Sequence, residues 1–434
     1  MTTSTEPLST QPLDNQVLRR VTWRLMPLLL VCYVFAHLDR VNVGFARTTM
    51  MADIGMSNTM YGAGAGLFFI AYMLFGVPSN MLLARFGPRR WIAVIMVLWG
   101  LLSVSTLFVS NHYEFYAVRF LLGMAEAGFF PGILIYINSW FPARRRGNVT
   151  AMFTLAVPLA SVLGAPISGW IIEHTHGWAG FHGWQWMFLL EGAPVVLLGL
   201  IVLWRLPNRF TDVSWLTAEE KRRLGAELQR EEASKASISF AKFILDPKLL
   251  LLFGIYFAVM LVINTLNFWT PGIIADSGVG SETTVGFLTA IPWLLSCFFM
   301  VLCGMSADRM NERRWHLVVP LLMATAGFIG TGLFTGSTVM VVLFLSLATM
   351  GGATALPMFW QIPPMFLSGR DAVAGIALVS SLGNLAGFLA PYLIGLVKDL
   401  TGEPSTGLYI LAVLIALGAS LVLLIRGRAT PASG

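Results

Sequence analysis

The chain has 434 residues, of which 56% are hydrophobic and 12% charged, with a mean hydropathy of +0.74. A soluble protein of this length needs more polar surface, so a water-soluble globular fold is excluded. The net charge of +6 resides mainly in the connections between apolar runs, where it marks the anionic face of a membrane rather than a nucleic-acid partner.

In chain order, residues 1–18 are rich in Ser, Thr, Pro and Gln and lack the apolar core of a cleaved signal peptide. Apolar runs of about 20 residues read as spanning helices. There are twelve, at 24–46, 59–83, 91–110, 115–141, 148–172, 185–204, 249–274, 284–306, 316–335, 338–361, 372–397 and 406–425. Lipid supplies no partner for backbone N–H and C=O groups, and the runs are too long for barrel strands, so the expected class is an all-α membrane protein. Sorted by connections that alternate between the two sides, 24 of the 28 Lys and Arg fall on one side. Only Arg47 and Lys398 fall on the other, while Arg40 and Arg119 lie inside spans. Cytoplasmic loops hold such an excess, which predicts both termini in the cytoplasm. Cys32, Cys297 and Cys303 all lie within spans and read as small buried residues rather than disulfide partners or a zinc site.

The longest polar stretch divides the spans into six and six. The organisation is then a cytoplasmic tail over 1–23, a six-helix bundle over 24–204, a linker over 205–248, a second six-helix bundle over 249–425 and a tail over 426–434. Within the linker, Thr217 and Glu220 have capping-box spacing ahead of an amphipathic run from Lys221 to Arg230. That pattern predicts a short helix along the cytoplasmic face, either a solvated linker or a moving tether. The connection after span two, Ala84-Arg-Phe-Gly-Pro-Arg-Arg-Trp91, matches that after span eight, Asp308-Arg-Met-Asn-Glu-Arg-Arg-Trp315, at four of eight positions. Duplication is the economical account and makes the two bundles pseudo-symmetric.

An ionised residue at a helix centre costs about 2.5–3.5 kcal/mol on insertion scales, so such residues face an interior and have a partner or a task. Asp39 and Arg40 in span one and Arg119 and Glu126 in span four are of this kind. At 1.5 Å per residue, Asp39 lies roughly 12 Å below Arg47 and Glu126 roughly 17 Å below the start of span four. Arg119 and Glu126, seven apart, share a face with Gly123 between them; His37 and Arg40 are neighbours on span one. A carboxylate held ionised by an arginine takes a proton when that arginine is engaged elsewhere, so the four residues predict a proton–anion coupling device. The competing reading is permanent salt bridges that fix packing.

Gly304-Met-Ser-Ala-Asp308-Arg309 with Arg313-Arg314, and the twelve-span plan with its central loop, resemble the major facilitator superfamily and its signature loop between the second and third helices of each half. The first copy carries Arg85 and Arg89 but has Ala84 where an acid is usual. Three further segments resemble the anion:cation symporter branch, which includes bacterial permeases for sugar acids, tartrate, phthalate and hydroxyphenylacetate. They are Leu38-Asp-Arg-Val-Asn-Val-Gly-Phe-Ala46, the run from Arg119 through Glu126 to Gly132, and Trp184-Gln-Trp-Met-Phe-Leu-Leu-Glu-Gly192.

The resemblance implies proton sites at Asp39 and Glu126, substrate or coupling roles for Arg40 and Arg119, a cavity-lining Tyr72 and a substrate-contacting Asn384. It assigns gating to Asp308, Arg309, Arg313, Arg85 and Arg89. His37, Asn267 and Gln361 are further candidates for the substrate wall, as are Asn264, Ser380 and Ser381, all polar groups inside spans that otherwise bridge helices. Glu191 is expected near the outer surface, tethering helix ends, and the fifth span is expected to bend around Gly164-Ala-Pro166 and Gly169.

The function expected is a monomeric, multi-pass carrier of a bacterial inner membrane that imports a small organic carboxylate with protons. No cofactor, metal or nucleic acid is called for, and no GxxxxGK[ST] loop indicates ATP drive. An enzyme is not expected: His37 beside Asp39 lacks a partnered Ser or Cys. An uncoupled facilitator or exporter, and a non-transporting receptor, are the alternatives. Phe68, Phe69, Trp269 and Trp360 leave sugar acid, tartrate-like diacid and aromatic acid all open as cargo.

Overall fold

The computed structural model describes residues 14–233, 246–363, 375 and 378–425. Twelve helices are long and apolar enough to cross a membrane: α1 (Asn15–Ile54), α2 (Asn58–Phe86), α3 (Pro88–Phe108), α4 (His112–Trp140), α5 (Ala143–His174), α6 (Gly183–Arg205), α7 (Pro247–Asp276), α8 (Glu282–Met310), α9 (Trp315–Leu333), α10 (Thr338–Phe359), α11 (Leu378–Thr401) and α12 (Pro404–Leu423). No strand occurs among the described residues. Several helices outrun their apolar runs. α1 has 40 residues because Asp14 caps it by accepting from Gln16 N–H and only Gly55, at φ 66°, ends it.

The duplication extends to helix ends. α2 and α8 each have 29 residues, each starts on a serine (Ser57, Ser281) whose side chain accepts an N–H three residues on, and each stops on a residue at positive φ, Gly87 at 83° and Asn311 at 47°. Gly and Asn are the residues that reach this conformation at least cost. Packing repeats as well: α3 against α6 matches α9 against α12, α2 against α4 matches α8 against α10, and α1 against α5 matches α7 against α11.

Two helices of the first bundle break just ahead of a proline. α4 is interrupted after Glu126 and resumes at Phe129, and α5 is interrupted at Leu155. Pro131 and Pro158 each lack the N–H that the carbonyl four residues back requires. The bend in α5 therefore lies a full two turns before the Gly164-Pro166 region, where Pro166 sits in unbroken helix. Gly169 serves close approach instead, since a Cβ there would strike the Glu282 carbonyl of α8.

Between the bundles, the linker holds a helix over Ala218–Ala233. Thr217 and Glu220 form the reciprocal cap: Glu220 N–H donates to Thr217 Oγ1 at 3.2 Å and Thr217 N–H to Glu220 Oε2 at 2.8 Å. Arg20 and Arg144 bind this helix to the first bundle through Glu220 and Glu227. In the second signature loop, burial favours the neutral form of Glu312, but hydrogen bonds from Trp315 N–H and His316 outweigh it and hold the carboxyl below the usual range.

Among the described residues, every hydrogen bond or ion pair joining the two bundles lies toward the end opposite the basic loops. Arg47 of α1 pairs with Asp276 of α7 at 3.0 Å, and Lys398 of α11 reaches the same carboxylate at 2.8 Å. Asn58 and Thr59 of α2 donate to Asp399 of α11, and Glu173 of α5 accepts from Ser281 and Thr283 at the start of α8. Arg47 and Lys398, the two basic residues off the basic side, thus share one acid in this clasp.

Candidate functional site

Four buried ionisable groups converge inside the first bundle. Gly123 of α4 has no side chain to hold α2 away, and a Cβ there would meet the Phe68 carbonyl. The close approach brings the Phe68 ring to 5.0 Å from the Arg119 guanidinium and 5.1 Å from that of Arg40, which also lies 5.1 Å from the Tyr72 ring. Each is within cation–π range. Arg40 Nη2 donates to Glu126 Oε2 at 2.6 Å. Glu126 is the last residue before the break in α4, and the segment's negative end favours the nearby cation.

The second pair is built differently. Asp39, 3% exposed, accepts from the Ser103 hydroxyl of α3 and from Asn42 Nδ2 at 3.4 Å, one turn along α1. Among the described residues it has no arginine in hydrogen-bond contact, but Arg119 interacts electrostatically with both Asp39 and Glu126. Arg119 is 1% exposed, and among the described residues its Nε and Nη2 have no acceptor. A buried guanidinium with unmet donors is costly unless an anion completes it. Arg40 differs, with 21% of its side chain exposed.

The remaining candidates separate by position. Tyr72 joins the cluster through Arg40. His37 is buried and its Nε2 is unpartnered among the described residues. Asn267 faces the seam between the bundles, lining a small cavity with Ser161, Thr289 and Trp293, and its Oδ1 lacks a donor. Asn384 lies half-buried at an interruption of α11, and Gln361 lies beyond the end of α10 with Nε2 against Met358 Sδ at 3.8 Å. Neither has a described hydrogen bond to the charged cluster. Asn264 is satisfied by the Met260 carbonyl of its own helix. Ser380 is half-buried and Ser381 exposed.

The signature-loop residues form a separate group at the basic end. Arg313 pairs with Asp308 at 2.6 Å, Arg89 donates to the Leu203 carbonyl of α6, Arg85 stacks over Phe86, and Arg309 lies in the last turn of α8.

Sequence reasoning missed two contributors. Asn42, one turn from Asp39, was readable from spacing; Ser103 was not, because only helix packing brings it in. Phe68, named for possible contact with cargo, faces the two guanidiniums. Glu191, expected to tether helix ends, is 3% exposed and accepts from Ser168 Oγ of α5 at 2.7 Å.

Comparison with known proteins identifies the framework. The Major Facilitator Superfamily profile matches residues 29–391. The chain is 44% identical over 411 residues to the metabolite transport protein NicT of Pseudomonas putida, covering 94% of each chain. It is 45% identical over 425 residues to a tartrate transporter of Agrobacterium vitis, covering 97% of each. Among solved structures, a bacterial homologue of the lysosomal transporter Spinster superimposes with a TM-score of 0.76 at 16% identity, covering 96% of this chain and 100% of that one. That last likeness speaks to fold. With a profile match over most of its length and two relatives above 40% identity, the chain belongs to the Major Facilitator Superfamily and is a transporter rather than an enzyme.

Proposed function

We propose that this protein is a proton-coupled symporter that carries a small organic carboxylate into the cell, with the basic loops and both termini on the cytoplasmic side. The observation that carries the reading is the Arg40–Glu126 ion pair beside a second arginine, Arg119, whose buried donors are unmet. Buried guanidinium donors without an acceptor among the described residues suit an anionic cargo.

With the bundles clasped at the outer end, the partly exposed Arg40 is the arginine reachable from the cytoplasm. A cargo carboxylate engages an arginine as a forked, charge-assisted partner and displaces Glu126. The displaced acid, buried without its cation, takes a proton. Anion and proton therefore favour each other's binding, and the coupling is reciprocal. On this reading Glu126 re-pairs with Arg40 once anion and proton are released, which neutralises the carrier for its return. Arg119, sealed in this state under Phe68 and next to Asp39, is the anion contact for the opposite state. The two bundles rock about this midplane site, and each net positive charge carried inward gains about 2.3 kcal/mol per 100 mV.

The name of the Agrobacterium vitis relative makes tartrate-like diacids the first cargo to test, with sugar acids and aromatic acids beside them. In liposomes holding purified protein, an acidic exterior should drive accumulation of one of these acids above equilibration, and a protonophore should abolish it. Uptake that equilibrates but never accumulates would favour the uncoupled facilitator, and accumulation only against the imposed gradient would favour export.

A further inference from the structure

We propose that Glu173 and Asp399 form a duplicated latch of the outer gate: each carboxylate sits on the first turn of a helix in the opposite bundle, and both let go in the same step when the outer side opens. This rests on the rocking motion of the proposed function and needs neither its cargo nor its proton.

The parts are repeated in the sequence. α2 opens with Ser57-Asn-Thr59 and has Gly62 one turn further on; α8 opens with Ser281-Glu-Thr283 and has Gly286 at the same spacing. α5 closes on Gly169-Trp-Ile-Ile-Glu173, and α11 on Gly395-Leu-Val-Lys-Asp399. Folding crosses these parts between bundles, with α5 against α8 on one seam and α11 against α2 on the other. Matched glycines set the approach. A Cβ at Gly169 would strike the Glu282 carbonyl and one at Gly395 the Asn58 carbonyl, the residues that follow the two capping serines. In return, a Cβ at Gly286 would strike the Ala165 carbonyl and one at Gly62 that of Pro391, each four residues before the facing glycine.

One turn beyond Gly169 and Gly395, the acids meet the helix ends. Thr59 N–H donates to Asp399 Oδ2 and Thr283 N–H to Glu173 Oε2, both at 2.7 Å. A hydroxyl joins each, Thr59 Oγ1 at 2.6 Å and Ser281 Oγ at 2.7 Å. A carboxylate is favoured there because first-turn N–H groups lack partners in their own helix and carry the positive end of its dipole. The same ends can release it. Ser57 and Ser281 keep their own bonds to the N–H groups of Met60 and Thr284, so both helices stay capped. Glu173 and Asp399 are exposed at the outer rim, so water takes over the donors they leave and none is stranded. With one copy on each seam, rocking that widens the outer end parts both together.

Labelling tests this without cargo. In a protein freed of Cys32, Cys297 and Cys303, a Thr270→Cys reporter, buried less than two turns before Asp276 on α7, is alkylated in intact cells by a membrane-impermeant maleimide. Glu173→Gln and Asp399→Asn should each raise the rate about 2- to 5-fold, the worth of an exposed anion at a helix N-terminus. The double variant should raise it by about the product of the two, because one opening step breaks both contacts. Glu173→Asp and Asp399→Glu, which keep the charge, should leave the rate near that of the wild type. Single variants that label no faster, a double variant no faster than the better single, or an equal rise in the charge-keeping variants would each overturn the latch. Should uptake prove uncoupled from protons, the proposed symport falls while the labelling still judges Glu173 and Asp399.

Discussion

The two bundles repeat each other in helix lengths, caps and packing, yet their interiors have diverged. Among the described residues the first holds Asp39, Arg119, Glu126 and Glu191 buried, with Arg40 beside them; the buried polar groups within the second are neutral, among them Asn264, Asn267, Thr270, Thr289 and Thr354. A duplicated frame tolerates this because helix ends and packing seams fix the architecture, whereas interior faces are free to specialise. On the proposed function, that contrast puts proton and anion chemistry in the first bundle and leaves the second to shape cargo through uncharged contacts.

Substitutions can break or sharpen that contrast. The largest effect is expected for Glu126→Gln, which should abolish gradient-driven accumulation in liposomes while leaving cargo exchange; unchanged accumulation would remove Glu126 from the coupling. Arg119→Ala forfeits charge-assisted hydrogen bonds of about 1.5–3 kcal/mol, so half-saturation of exchange should rise about 10- to 100-fold. Phe68→Leu keeps the volume but not the ring. At about 0.5–2 kcal/mol for a cation–π contact, an affinity loss of several-fold is expected in a binding titration. Asn267→Ala, in the second bundle, should alter the ranking of acids by about 1 kcal/mol or less and leave the pH profile of uptake in place. A moved pH profile would show that the division between bundles is false. The smallest effect is that of Asp276→Asn. Loosening a partly exposed ion pair worth about 0.2–1 kcal/mol should modestly raise the alkylation rate of a Thr270→Cys reporter from the outer side.

Much of the frame was legible because lipid imposes length and composition on spans, and because positive residues cluster on one side. The four buried charges stood out for the same reason: in an apolar run a lone Asp or Arg is conspicuous. Pairing was another matter. Asp39 and Glu126 each looked ready for either arginine, and only the placing of α1 beside α3 and α4 shows that Glu126 has Arg40 while Asp39 has a hydroxyl and an amide. Arg47 and Lys398 appeared as two exceptions to the charge bias, 351 residues apart in the chain; their common partner Asp276 is invisible until α1, α7 and α11 are brought together.

The account turns on linkage between cargo and proton at the Arg40–Glu126 pair, and calorimetry measures that linkage without a membrane. Binding of the transported acid to the purified carrier, titrated in buffers of different ionisation enthalpy, should take up close to one proton per anion in the wild type and close to none in Glu126→Gln. Binding that draws no proton in the wild type, or the same proton in the variant, would contradict it.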